Sequence, residues 1–217
     1  MKVLVTGARG QLGHEVVRVC SQSGHDVFAP GRQEMDFMVP DQVSAAVLDC
    51  RADRVVNCAA YTQVDRAESE QDAAFTVNRD SAGRLAQAVA ATGGRLLHVS
   101  TDFVFDGRQS CPYQEDDLPN PLSVYGQSKL EGEQAVLKAM PAAIVLRTAW
   151  VYGAHGENFV KTMLRIAATG KPLRVVNDQT GTPTWAADLA SVILPLFDCD
   201  AAGVLHYTNA GQTTWYG

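Results

Sequence analysis

Runs of valine and leucine alternate along the chain with stretches in which apolar residues recur at helical spacing. Lys2–Thr6, KVLVT, is nearly continuous in apolar residues and ends at Gly7, the pattern of a strand buried on both faces. Over residues 10–22, Leu12, Val16, Val17 and Val19 share one helical face, and Ser23-Gly24 ends the pattern. Residues 27–29 predict a second short strand, and Pro40–Cys50 a helix with proline at its start. RVVNCA at 54–59 predicts the third strand, and a helix over about 72–91 stops at Gly93-Gly94. Residues 95–100 and 142–147 read as the fourth and fifth strands, with a helix over about 122–140 between them. Beyond Trp150 the pattern predicts a helix at 158–169, a strand at 173–176, a helix at 186–197 and a strand at 204–207. Alternation of this kind builds an α/β fold: a doubly wound parallel sheet with helices on both faces.

Composition narrows the picture. The 217 residues suffice for one large domain, or one domain with a small appendage, and 46% apolar against 19% charged residues excludes wholesale disorder. No apolar run reaches the ~18 residues that span a bilayer, and the chain enters a strand at once instead of a leader, so no membrane partner is expected. A net charge of −6 argues against nucleic acid as a partner. Cys20, Cys50, Cys58, Cys111 and Cys199 show no C-x-x-C pair, and the five histidines no ligand spacing. No metal site is therefore expected, and a reducing cytoplasm fits. DGRQSCPYQEDDLPNP at 106–121 is long and polar for a connection, the sort of loop that is often functional.

The chemistry lies elsewhere. TGARGQLG, from Thr6 to Gly13, places Gly7, Gly10 and Gly13 at a G-x-x-G-x-x-G spacing between the first strand and first helix. Such glycines allow a tight turn and close approach to a diphosphate, and the helix N-terminus that follows favours an anion. After the second strand no carboxylate waits for a ribose hydroxyl. Arg32 stands there instead, suited to a 2′-phosphate, which favours NADPH, with NADH as the alternative. Tyr125 and Lys129 lie four residues apart in a helical segment and share a face. An ammonium beside the phenol is expected to lower its ordinary value near ~10 and make it a usable acid toward a carbonyl oxygen. Ser100-Thr101, at the end of the fourth strand, offers hydroxyls where open α/β sheets bind their ligands, and Thr101 could hold the same oxygen.

Together these segments resemble the extended short-chain dehydrogenase/reductase superfamily. NCAAYTQVDRAE (57–68), STDFVFDG (100–107), YGQSKLEGE (125–133), RTAWVYG (147–153) and VVNDQTGTPTWAADLA (175–190) are similar to its dTDP-4-dehydrorhamnose reductase branch. The resemblance implies a Rossmann-type NAD(P)-binding domain over 1–150 and a smaller, mixed α/β substrate lobe over 151–217. That lobe is expected to be incomplete, because family sequences continue for another helical segment, and its strands are able to return to the main sheet. It implies Gly10, Gln11 and Leu12 at the diphosphate, Asp36-Phe37 near the adenine, and Ala59, Ala60 and Tyr61 flanking the cofactor. Tyr125 would be the proton donor, Lys129 its partner and Thr101 the supporting hydroxyl, with Thr101, Asp102 and Trp150 meeting a dTDP-linked 4-keto-6-deoxysugar. The implied reaction is NADPH-dependent reduction at sugar C4.

Three departures stand out. Phe103 replaces a common tyrosine. Of the glutamates that hold magnesium between protomers in some members, Glu15 matches one, but the position matching another is Ala187, so no metal is expected while a homodimer stays open. The alternatives are a cofactor-binding regulatory subunit, against which the Thr101, Tyr125 and Lys129 set counts, and an epimerase or dehydratase. Relatives of the latter kind place T-D-E where this chain has Thr101-Asp102-Phe103.

Overall fold

The computed structural model describes residues 1–170 and 172–217. Along the chain it forms β1 (Lys2–Thr6), α1 (Gln11–Gln22), β2 (Asp26–Phe28), α2 (Pro40–Cys50), β3 (Arg54–Asn57), α3 (Val64–Ala67) and α4 (Gln71–Phe75). A π-helical turn, Thr76–Asp80, then leads directly into α5 (Ser81–Thr92). Next come β4 (Arg95–Thr101), a 3₁₀ turn (Asp102–Val104), α6 (Val124–Ala139), β5 (Ile144–Thr148) and β6 (Val151–Tyr152). The chain closes with α7 (Phe159–Ala167), β7 (Thr180–Gly181), β8 (Thr184–Trp185), α8 (Ala186–Leu196), β9 (Gly203–His206) and β10 (Thr213–Thr214).

Six strands make one parallel sheet in the order β2-β1-β3-β4-β5-β9. Val3, Val5, Val56, Leu97, Ile144 and Leu146 face one side, packed against α1 and α8 through Leu12, Val16, Leu189 and Ile193. Leu4, Val55, Leu96 and Val145 face the other, under α2, α5 and α6 through Val43, Val47, Leu85, Val89 and Val136. Both faces are covered, which is why the central strands read as unbroken apolar runs. The strand order reverses at β1, between β2 and β3, so a crevice opens at the carboxyl ends of those strands, where such sheets bind ligands. No described helix is long and apolar enough to cross a membrane.

Two expectations change. Residues 173–176 form no strand: they pair with none of the described strands, and Leu173 and Val176 are exposed, so their apolar character alone does not make a strand. The helix expected over 72–91 begins at Gln71 and contains the π-helical turn. The wider turn goes with an inward-facing Asn78, only 1% exposed.

Candidate active site

A cleft of about 1170 Å³ crosses the carboxyl ends of β1, β3 and β4. Its wall contains Gly7, Gly10, Gln11, Leu12, Gly13, Arg32, Asp36, Phe37, Ala59, Ala60, Tyr61, Thr101, Asp102, Tyr125, Lys129 and Trp150. The site residues expected from sequence therefore line one space, delivered by α1, β4, the 3₁₀ turn, α6 and the loops that follow β1, β2, β3 and β5.

At one end lies the glycine loop. Gly7 adopts φ +65°, and a Cβ there would stand 2.7 Å from the Cys58 and Ala59 backbone. A Cβ on Gly13 would stand 2.2 Å from the Gly7 carbonyl oxygen, so only glycine lets α1 start this close to the turn. Gly10 N–H donates to Gly7 O at 2.9 Å, and no side chain caps the first turn of α1. Gly10–Gly13 line the cleft, and their uncapped turn carries the positive end of the helix dipole, which suits phosphate oxygens. The Gln11 side chain turns aside: Nε2 donates to Val151 O (3.3 Å), and Oε1 accepts from Asn158 Nδ2 (2.9 Å). Gln11 can thus serve a ligand through its backbone while its amide ties the loop to the segment after β6.

The adjoining rim follows β2. Arg32 is largely exposed and lies 3.4 Å from Asp36, whose carboxylate also accepts from Met38 N–H at 2.9 Å. Arg9, which sequence reading passed over because one arginine in a glycine loop carries no pattern, also lines the cleft and lies near Gly31. The Arg9 and Arg32 guanidiniums suit a phosphorylated ribose, although the rim also carries the Asp36 carboxylate beside Arg32 and Glu34, whose Oε2 accepts from Gly31 N–H at 2.8 Å.

The reacting end is built on β4 and α6. Ser123 Oγ accepts from Gly126 N–H at 3.1 Å and caps α6, which fixes Tyr125 in its first turn. Beneath the helix, Glu133 accepts from Ser100 Oγ (2.5 Å) and from Arg147 Nε and Nη2 (2.9 and 2.7 Å). This buried bidentate pair locks α6 to β4 and β5. Asn78 closes the other side. It accepts from Tyr61 N–H (2.8 Å) and donates to Tyr61 O (3.1 Å) and Ser128 Oγ (2.9 Å), a role no sequence pattern announces.

Tyr125 is buried, and that burial pushes its phenol up to about 12, opposed by the Thr101 hydroxyl and reinforced by the Asp102 carboxylate. Lys129 is also buried. Its ammonium donates to Val99 O at 2.7 Å and lies 3.3 Å from His98 Nε2, and burial pulls it down to about 8, with Glu133 resisting. The expected lowering of the phenol by Lys129 is therefore not what the fold provides: burial raises the phenol, and the lysine turns to β4. The result is a phenol that keeps its proton at neutral pH. Thr101 Oγ1 donates to Asp102 Oδ1 at 3.1 Å and accepts from Phe103 N–H at 3.2 Å. Burial also pushes the Asp102 carboxyl up to about 6. Thr148, the register partner of Thr101 on β5, lines the same cleft, and its buried hydroxyl has no protein partner, as suits a polar ligand.

Trp150 forms the far wall at φ +47°, a strained value for a bulky residue. Its ring stacks on Trp215, centroids 3.9 Å apart, and Trp215 meets Phe159 edge-on. Trp215 was not anticipated, since only the tertiary structure brings it back to the cleft.

A doubly wound sheet, a glycine loop at its switch point and a hydroxyl–tyrosine–lysine set define a dinucleotide-binding reductase of the short-chain type. Residues 1–217 match the family model described as the RmlD substrate binding domain, and the chain belongs to that family. It is 46% identical, over all of its length and 74% of the relative, to a probable dTDP-4,6-dihydroxy-2-methyloxan-3-one 4-ketoreductase of Streptomyces antibioticus. It is 45% identical, over all of its length and 72% of the relative, to a dTDP-4-dehydrorhamnose reductase of Mycobacterium tuberculosis. The crystal structure of a dTDP-4-dehydrorhamnose reductase from Bacillus anthracis in complex with NADP superposes with a TM-score of 0.95 at 37% identity, covering 99% of this chain and 76% of that one.

Proposed function

We propose that this chain reduces the C4 ketone of dTDP-4-dehydro-6-deoxy-L-mannose to dTDP-L-rhamnose with NADPH, in the cytoplasm. The observation that carries this reading is the buried, protonated Tyr125 phenol beside Thr101, in one cleft with the glycine loop. The residues present fit the cofactor: uncapped amides of α1 for the diphosphate, Arg32 and Arg9 for a 2′-phosphate, and the unpartnered Thr148 hydroxyl deeper in. When bound, the reduced nicotinamide supplies the hydride that adds to sugar C4.

The chain's residues do the rest. Thr101, turning its one hydroxyl proton from Asp102 to the substrate, holds the ketone oxygen by a hydrogen bond that strengthens as charge develops. Tyr125 gives its proton to that oxygen, so hydride and proton together convert C=O to CH–OH. A phenol near 12 is well matched to this direction, because the alkoxide it quenches is far more basic. Lys129, when protonated, supplies a positive charge one helical turn from the phenolate that remains. The indole of Trp150 offers an apolar face to the sugar ring and shields the site from water.

The test is NADPH oxidation by the purified chain with the ketosugar made in situ. Stoichiometric loss of nicotinamide absorbance supports reduction; turnover of the sugar with no net NADPH loss would replace it with epimerisation. The Streptomyces relative, a probable dTDP-4,6-dihydroxy-2-methyloxan-3-one 4-ketoreductase, favours a second reading in which another dTDP-linked 4-ketosugar is preferred, and kcat/KM on the two sugars decides between them.

A further inference from the structure

From Lys129 a row of polar side chains crosses the apolar sheet beneath the cleft, its two ends, Thr6 and Lys129, lining that cleft. Thr6 on β1, Asn57 on β3 and His98 on β4 are register partners on adjacent strands, each no more than 1% exposed. Lys129 reaches the end of the row from α6. The contacts run Thr6 Oγ1 to Asn57 Oδ1 at 2.6 Å, Asn57 Nδ2 to His98 Nδ1 at 2.9 Å, and His98 Nε2 to Lys129 Nζ at 3.3 Å. Four buried polar groups linked in sequence are costly unless each is satisfied, so where the protons sit matters.

The row fixes its own proton order. Asn57 Oδ1 receives two donors, the Thr6 hydroxyl and the Ala59 amide at 3.2 Å, and the 2.6 Å separation suits O–H···O. The atom facing His98 is then the amide nitrogen, a donor, which requires a bare lone pair on His98 Nδ1. Burial and the neighbouring Lys129 charge hold His98 well below its ordinary value, so the ring is neutral and its single proton is on Nε2. That N–H points at Lys129 Nζ. Facing an ammonium it repels; facing an amine it donates to the lone pair, while the amine still donates to Val99 O.

We propose that His98 is a positioning residue that sets the proton occupancy of Lys129, through a ring tautomer dictated by Asn57 and Thr6. The other titratable groups facing Lys129 do not bond Nζ. The Cys58 thiol is held protonated by burial, Glu133 is taken up by Arg147 and Ser100, and Tyr125 lies one turn back on the same helix. The consequence for catalysis rests on the reductase reading: a protonated Lys129 stabilises the phenolate left on Tyr125, so turnover falls as pH rises through the point where Lys129 loses its proton, and His98 decides where that point lies.

The test uses ¹⁵N shifts of the His98 ring and the ¹³Cε titration of Lys129 in the intact chain, with pH profiles of kcat for NADPH oxidation. The expected results are a bare Nδ1 and a protonated Nε2 from pH 5 to 9 in the unsubstituted chain. The Lys129 midpoint should move upward by at least about half a pH unit in His98→Leu. It should move further in Asn57→Asp, whose carboxylate demands a proton on Nδ1 and turns Nε2 into an acceptor. The alkaline limb of kcat should follow. A proton on Nδ1 in the unsubstituted chain, or a Lys129 midpoint unmoved in folded variants, overturns the proposal. Absence of turnover on any ketosugar would overturn the reductase reading instead, while the titration still decides the role of His98.

Discussion

Phe103 stands edge-on to Tyr125, ring centroids 5.4 Å apart and planes at 73°. Because the Phe103 amide is held by Thr101 Oγ1, the residue we propose to orient the ketone also fixes the ring that packs on the phenol. An edge-to-face pair is worth about 0.5–1.5 kcal/mol, enough to restrict a ring otherwise free to swing into the cleft. Phe103→Ala is expected to lower kcat several-fold while NADPH affinity holds, read from steady-state kinetics and a cofactor titration.

Tyr125→Phe removes the proposed proton donor and leaves the packing against Phe103. Turnover should drop by about 10²–10⁴, with the dissociation constant for NADPH within about twofold of the parent by fluorescence titration. Ketosugar reduction at an undiminished rate would assign proton transfer to another group.

Arg32 is the cation best placed for a 2′-phosphate, and its exposed pairing with Asp36 is easily exchanged. Arg32→Ala should weaken NADPH binding about tenfold, the worth of one exposed charge-assisted contact, and leave NADH nearly unchanged. Equal losses for both cofactors would remove Arg32 from the phosphate site.

The backbone contact of Gly13 has no flexible partner, since the Gly7 carbonyl belongs to the same turn. Gly13→Ala should cost about 1–3 kcal/mol by overpacking. It should also displace the amides that cradle phosphate, so lower thermal stability and weaker cofactor binding should appear together.

Asp102 has a folded-state value raised to about 6 from an ordinary 3.8. The folded state thus binds a proton more tightly than the unfolded one. The stability this provides is complete below about pH 4 and is lost as pH rises through 6. Asp102→Asn should therefore melt with the parent at pH 4 and above it at pH 7. The gap should be about 1–2 kcal/mol, reduced from the full linkage because the side chain is partly exposed. Chemical denaturation at the two pH values measures it.

Much of this was legible in the chain. β1, β3, β4 and β5 are buried on both faces and announce themselves as unbroken apolar runs, and the glycines of the first turn follow from local sterics. Tyr125 and Lys129 share a face because any helix puts residues four apart together. The 173–176 segment misled for the complementary reason: a few apolar residues make a strand only where a ladder partner meets them, and these pair with none of the described strands.

What residue order determined, then, was the layering, the switch point and the identity of the groups lining the cleft, because periodicity and close backbone approach are local properties. Only the tertiary structure decided their chemical state. Desolvation, which no spacing reveals, set the phenol of Tyr125 high and the amine of Lys129 low. Strand register aligned Thr6, Asn57 and His98 into a polar row, and the returning chain brought Trp215 onto Trp150. Those outcomes depend on how much water each group loses and which distant group replaces it, and both are fixed when the sheet closes.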